Sequence, residues 1–105
     1  MNVDFSGSDL TKASLLRARL VGANLTNCAM HGARFFETDL RNAILDGTQL
    51  IGARFVEARV FNVKKDRIGS LDRLRIHSIY TNPEGDGGEL TGDEALRFFQ
   101  AETGC

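Results

Sequence analysis

From Val3 to Phe61 the chain repeats itself every five residues. Phe5, Leu10, Leu15, Leu20, Leu25, Met30, Phe35, Leu40, Leu45, Leu50, Phe55 and Val60 are all apolar. Two places before each comes a residue of small or modest size: Val3, Ser8, Ala13, Ala18, Ala23, Cys28, Ala33, Thr38, Ala43, Thr48, Ala53 and Ala58. An α-helix cannot keep such a stripe on one side, because five residues carry it through about 500°. A long strand fails as well, since its period of two sends alternate large residues to opposite faces. The pattern fits a chain that turns a corner at each repeat and wraps around an interior. Each straight side then sends one large and one small side chain inward.

The third position of the pattern supports the corners. Two residues after each large one come Gly7, Lys12, Arg17, Gly22, Asn27, Gly32, Glu37, Asn42, Gly47, Gly52, Glu57 and Asn62, mostly Gly or Asn. Those are the types that best tolerate positive φ in turns. The small inner residue has a packing reason, because a larger side chain beside a corner would overfill the core. Eleven glycines against one proline suit many turns and little linker.

Segments such as ANLTN (Ala23 to Asn27) and TDLRN (Thr38 to Asn42) carry the motif Ala-(Asp/Asn)-Leu-polar-X. In this the chain resembles the pentapeptide repeat family over residues 3 to about 62. The resemblance implies an all-β solenoid, a right-handed quadrilateral β-helix with four sides to a coil. Its twenty-residue coils stack about 4.8 Å apart, so about three of them make a stub roughly 15 Å long. The expected division is a repeat domain over 1–62 and a partly helical C-terminal capping segment over 63–105.

With that coil length, residues i, i+20 and i+40 stack. Inward, Phe35 is expected over Phe55. Outward, the column Leu16, Phe36, Val56 is apolar throughout, unlike the others. Arg34 and Arg54 flank it on one side, Glu37 and Glu57 on the other. An apolar stripe rimmed by both charges suits a contact surface. These seven residues are the candidate interaction site. The stripe lies beneath the C-terminal segment, against a second copy or another protein, or in open solvent. Arg19 and Arg59 share a column with Asp39, a local neutralisation.

A solenoid end exposes apolar core and unpaired edges and needs a cap. In LTGDEALRFFQ, Thr91 and Glu94 have capping-box spacing, which predicts a helix over about 92–101 with Leu96 and Phe99 on its buried side. SLDRLRIHSIY reads equally as a helical turn or a strand. NPEGDGG, residues 82–88, reads as a loop. Its Asn82, Glu84, Asp86, Gly87 and Asp93 have the spacing of a calcium loop, but the initial Asp and final Glu of such a loop are missing.

The remaining features narrow the function. A net charge of -1 gives no global pull toward nucleic acid or an anionic membrane. No apolar run reaches a membrane span. MNVDFSGSDL has neither the basic head nor the apolar core of a leader, and a cytoplasmic location is expected. Cys28 sits at an inward position and reads as a buried, inert thiol, while Cys105 is terminal. His31 and His77 are two isolated imidazoles. No phosphate-cradling loop and no mutually perturbing carboxylate pair appears. The expectation is therefore a non-catalytic scaffold or protein-interaction module with no cofactor and no metal. Its partner is another protein or itself, without direct nucleic-acid binding. The resemblance also implies an alternative, since some members of the family mimic B-DNA in shape and negative charge and modulate DNA gyrase. That role calls for a long, strongly acidic rod.

Overall fold

The computed structural model describes residues 3–100. The chain winds as a β-helix in which each turn pairs with the next in parallel. Bridges join Asp4 to Asn24, Asp9 to Ala29, Arg19 to Asp39 and Ile44 to Lys64, each at the expected offset of twenty residues. Three backbone hydrogen bonds per repeat knit neighbouring turns, Gly7 N to Thr26 O at 2.8 Å among them. Phe5 N donates to Asn24 O at 2.8 Å, and Asn24 N donates back to Val3 O at 2.8 Å. The side-chain rule of the sequence maps directly onto this path. From Leu25 to Val60 every large repeat residue is fully buried.

Each corner is a tight turn. The amide of the small residue donates to the carbonyl of the large one three places earlier, as in Ala13 N to Leu10 O at 3.0 Å. Such a turn with an extended second residue needs positive φ at its third residue. All the corner positions named from the sequence have it, from 54° at Glu57 to 74° at Gly7. Lys12, Arg17, Glu37 and Glu57 adopt this conformation despite carrying a Cβ, at a cost of about 1–2 kcal/mol each. Polar residues before the large one brace the same turn. Asp4 Oδ1 accepts from Ser6 N at 2.9 Å, and Asn24 Oδ1 accepts from Thr26 N at 3.0 Å. This explains why Asp and Asn recur at that place in the motif.

Four strands are regular enough to name: β1 (Arg34–Phe36), β2 (Arg54–Arg59), β3 (Arg75–Tyr80) and β4 (Glu89–Leu90), followed by helix α1 (Gly92–Gln100). They form one sheet in chain order. β1 to β2 and β2 to β3 are parallel, while β4 adds antiparallel to β3.

The ladder runs on past residue 62, where the apolar pattern fades. Lys64 pairs with Ile44, Arg67 takes the next positive-φ corner, and β3 pairs with β2. What changes after 62 is the regularity. Gly69 N still donates to Thr48 O, but Gly52 N reaches Asp72 O, so one extra residue enters between them. A bulge follows at His77, which lets Phe55 face Ile76 while Val56 faces Ser78. SLDRLRIHSIY therefore ends in a strand, because β2 offers it a parallel edge. Lys65 occupies a position where earlier turns hold Leu or Phe. Its stem is buried and its Nζ lies 4.7 Å from the Phe98 ring centre.

Helix α1 packs against the core. The Phe35 and Phe55 rings stack 4.4 Å apart and nearly parallel, and Phe99 adds a tilted third ring 4.8 Å from Phe55. Phe99 and Ala95 are buried, and Leu96 is half-buried. The helix begins one residue after Thr91, as its sequence implies. The capping box does not form, however, since the Thr91 hydroxyl makes no hydrogen bond among the described residues. Gly92, at φ 55°, turns the chain into the helix instead. The expected helix end at 101 lies outside the described residues.

Candidate functional site

The seven residues singled out in the sequence come together on one side of the solenoid. β1 and β2 place Arg34 on Arg54 and Phe36 on Val56, and Ser14 bridges to Arg34. The apolar column is continuous at its centre and has distinct ends. Leu16 is 57% exposed, more than any other large apolar residue described, whereas Phe36 and Val56 are half-buried between their neighbours. At the other end the column stops on Ser78, whose Oγ accepts the Glu57 amide at 3.0 Å. Of the C-terminal segment, β3 borders the stripe at Val56. The helix packs on the core at Phe55.

The basic side of the stripe is longer than the sequence suggested. Arg75 of β3 pairs with Arg54, so Arg34, Arg54 and Arg75 form an exposed ladder. The acidic side is partly engaged within the chain. Arg17 Nε donates to Glu37 Oε1 at 2.9 Å, with both side chains largely in solvent. Such an exposed pair contributes little to stability.

The acidic corner also borders a groove on the next side, lined by Arg17, Arg19, Asp39, Arg41, Arg59 and Tyr80 among others. Its centre is Asp39, almost fully buried. Arg41 grips it with two bonds, Nε to Oδ1 at 2.8 Å and Nη2 to Oδ2 at 2.7 Å. This fork holds the Asp39 carboxyl below the usual range, against the opposing effect of burial. Arg59 lies farther off, at 3.7 Å from Oδ2. The expected neutralisation of the column is thus supplied mainly by Arg41. The remaining nitrogen of Arg41 donates to Pro83 O at 3.0 Å and Glu84 O at 3.2 Å, strapping the 82–88 loop to the solenoid. Sequence reading missed this role. The trace was a long donor two places after Asp39, where the Asp4, Asp9 and Asn24 repeats put Ser6, Thr11 and Thr26.

Other candidates take structural roles. In the 82–88 loop Asn82 Oδ1 accepts three backbone amides, from Gly85, Asp86 and Gly87 at 2.9–3.0 Å. That oxygen organises the turn. No cluster of three metal-binding side chains occurs among the described residues. Cys28 Sγ donates to Phe5 O at 3.0 Å, and burial pushes its thiol up, away from the reactive thiolate. Cys105 lies outside the described residues. His31 Nε2 is buried without a hydrogen-bond partner among them. No helix is long and apolar enough to cross a membrane.

A model of pentapeptide repeats matches the chain in eight copies, over residues 1–36 and 33–60. Among solved structures, the chain is similar to a pentapeptide repeat protein from the Arabidopsis thaliana thylakoid lumen. That match has a TM-score of 0.53 and 23% identity, and covers 91% of this chain and 70% of the other. It is also similar to HetL, a pentapeptide repeat protein involved in heterocyst differentiation regulation from the cyanobacterium Nostoc. There the TM-score is 0.45 and identity 20%, with 83% of this chain and 42% of HetL covered. No curated protein sequence matches the chain.

Proposed function

The chain belongs to the pentapeptide repeat family, and from that premise we propose that it is a non-catalytic protein-interaction module. Its working surface is the stripe Leu16, Phe36 and Val56 with its rim of Arg34, Arg54, Glu37 and Glu57. The coils are taken to be right-handed and four-sided, as family membership implies, with about three regular ones. The observation that carries the reading is the outward apolar column itself, exposed at Leu16 and half-buried at Phe36 and Val56. It holds one register with the flanking charges across β1 and β2, and its Leu16 end is exposed. Contact surfaces combine an apolar centre with a polar rim in this way. Asp39 is the shifted acid in a groove, and its carboxylate is engaged by the Arg41 fork, which suits a structural role.

The charge layout does not favour DNA mimicry. Among the described residues stacked acids occur in pairs, at Glu37 with Glu57 and Asp46 with Asp66, and arginines interrupt the neighbouring columns. A duplex surrogate needs negative charge along its whole length.

A photo-reactive residue tests the assignment. Placed at position 36, it is expected to form a discrete protein adduct in an extract of the source cells. Placed at exposed Thr11, on another side, it is expected to form none. Equal labelling at both positions would sink the reading.

A further inference from the structure

Resting on that reading, we propose that the partner of this face is a second copy of the chain, set side by side about a two-fold axis parallel to the solenoid. Two observations single out this partner. The first is pitch. Arg34 and Arg54 pair directly across β1 and β2, as do Phe36 and Val56, so every recognition element repeats at the strand spacing of about 4.8 Å. A docked α-helix repeats at about 5.4 Å per turn and drifts out of step. A second solenoid of the same sequence matches rung for rung.

The second observation is the order of charges across the face. Along two of the three rungs comes an arginine, then the apolar residue, then a glutamate at the corner: Arg34, Phe36, Glu37 and Arg54, Val56, Glu57, while the Leu16 rung carries Ser14 and Arg17 in the charged places. A two-fold axis along the solenoid reverses this order in the partner copy without changing level. Arg34 then meets the partner's Glu37, Arg54 meets the partner's Glu57, and each apolar residue meets itself. The alternative axis, across the rungs, lays the arginine ladder on itself. Like charges in contact exclude that arrangement. The Arg34, Arg54 and Arg75 ladder has no ion-pair partner within the chain among the described residues, so its charge is available for such a contact.

The strip is far smaller than the roughly 800 Å² per partner of a standard interface, so the dimer is weak, with a Kd of roughly 0.1–1 mM. Sedimentation equilibrium of the full chain over a concentration series reads it. Arg54→Glu and Glu57→Arg are each expected to weaken association about tenfold or more, by setting like charges together. The double variant R54E/E57R is expected to restore it, since exchanged charges face one another again. Both single changes are compatible with the fold. Arg54→Glu relieves a stack of three arginines, and the corner conformation of Glu57 is already adopted by Arg17, Arg67 and Arg73. A wild type that stays monomeric at millimolar concentration would overturn self-association, while a foreign adduct at position 36 would leave the interaction face standing. Stronger association of Arg54→Glu alone would overturn the axis, because the crossed arrangement places Arg54 against the partner's Arg34. A second readout needs no charge change. With Cys105→Ser removing the terminal thiol, Leu16→Cys is expected to form a disulfide with its own copy on oxidation. Cross-linking only between Leu16→Cys and Val56→Cys chains would contradict the parallel axis.

Discussion

Neighbouring residues of this chain have opposite fates, and the five-residue period decides which. Phe35 is fully buried against Phe55, while Phe36 lies half-exposed on the stripe. Phe35→Ala is expected to cost about 3–5 kcal/mol, through lost burial and a cavity between rings. Leu16→Ala, facing out, is expected to stay within about 0.5 kcal/mol. Urea unfolding of both variants checks the pair, and equal losses would refute the inward and outward assignment. The corners give a second test. Gly47, at φ 70°, stands where a Cβ would run into Asn27 Oδ1. Gly47→Ala is expected to lose about 1–2 kcal/mol in the same assay. Corners and core were legible in the sequence because each repeat states them again. Lys65 was not, because a lysine in a core position reads as the end of a core. Its long stem lies buried while its ammonium finds the Phe98 face.

Among the elements, the C-terminal ones show where local signals give way to tertiary ones. SLDRLRIHSIY has no decisive period of its own, and the edge of β2 makes it β3. The inserted residue and the bulge at His77 hid its kinship with earlier turns. The helix signal in LTGDEALRFFQ was strong enough to read, although its capping box yields to Gly92. Phe99 reaches the core end at Phe55, as a cap requires, with β3 alongside. Removing residues 90–105 is expected to expose that ring, raise binding of a hydrophobic dye and promote aggregation. A truncated chain that remains monomeric and equally stable would exclude a capping role. The Arg41 strap adds a pH dependence. Because the folded carboxyl of Asp39 is held below its ordinary value, the stabilisation is present above the unfolded-state pKa of about 3.9. It is lost as pH falls through the lower folded value. Asp39→Asn is expected to flatten that part of the acid limb and to speed amide exchange in the 82–88 loop, measured by hydrogen exchange. An unchanged acid limb would show that Arg41 holds the loop without it.

At the scale of the whole molecule, a regular solenoid sorts its side chains into columns, and only the outward columns distinguish one such chain from another. The apolar stripe and its rim were readable from sequence once the coil length was assumed. The lengthening of the basic column by Arg75 was not, because the insertion before it breaks the count. Mixed charge around the barrel leads us to expect no inhibition of purified gyrase in a supercoiling assay, whereas inhibition by the chain alone would revive the duplex-mimic reading. The interaction face itself is best interrogated with the photo-reactive residue at Leu16 and a charge at the stripe's centre, Phe36→Glu. If the face makes the contact, the position-16 adduct seen with the otherwise wild-type chain disappears in the Phe36→Glu chain, while its melting temperature stays within about 5 °C. An adduct of undiminished yield in a folded Phe36→Glu chain would contradict the assignment of the Leu16, Phe36, Val56 face as the working surface.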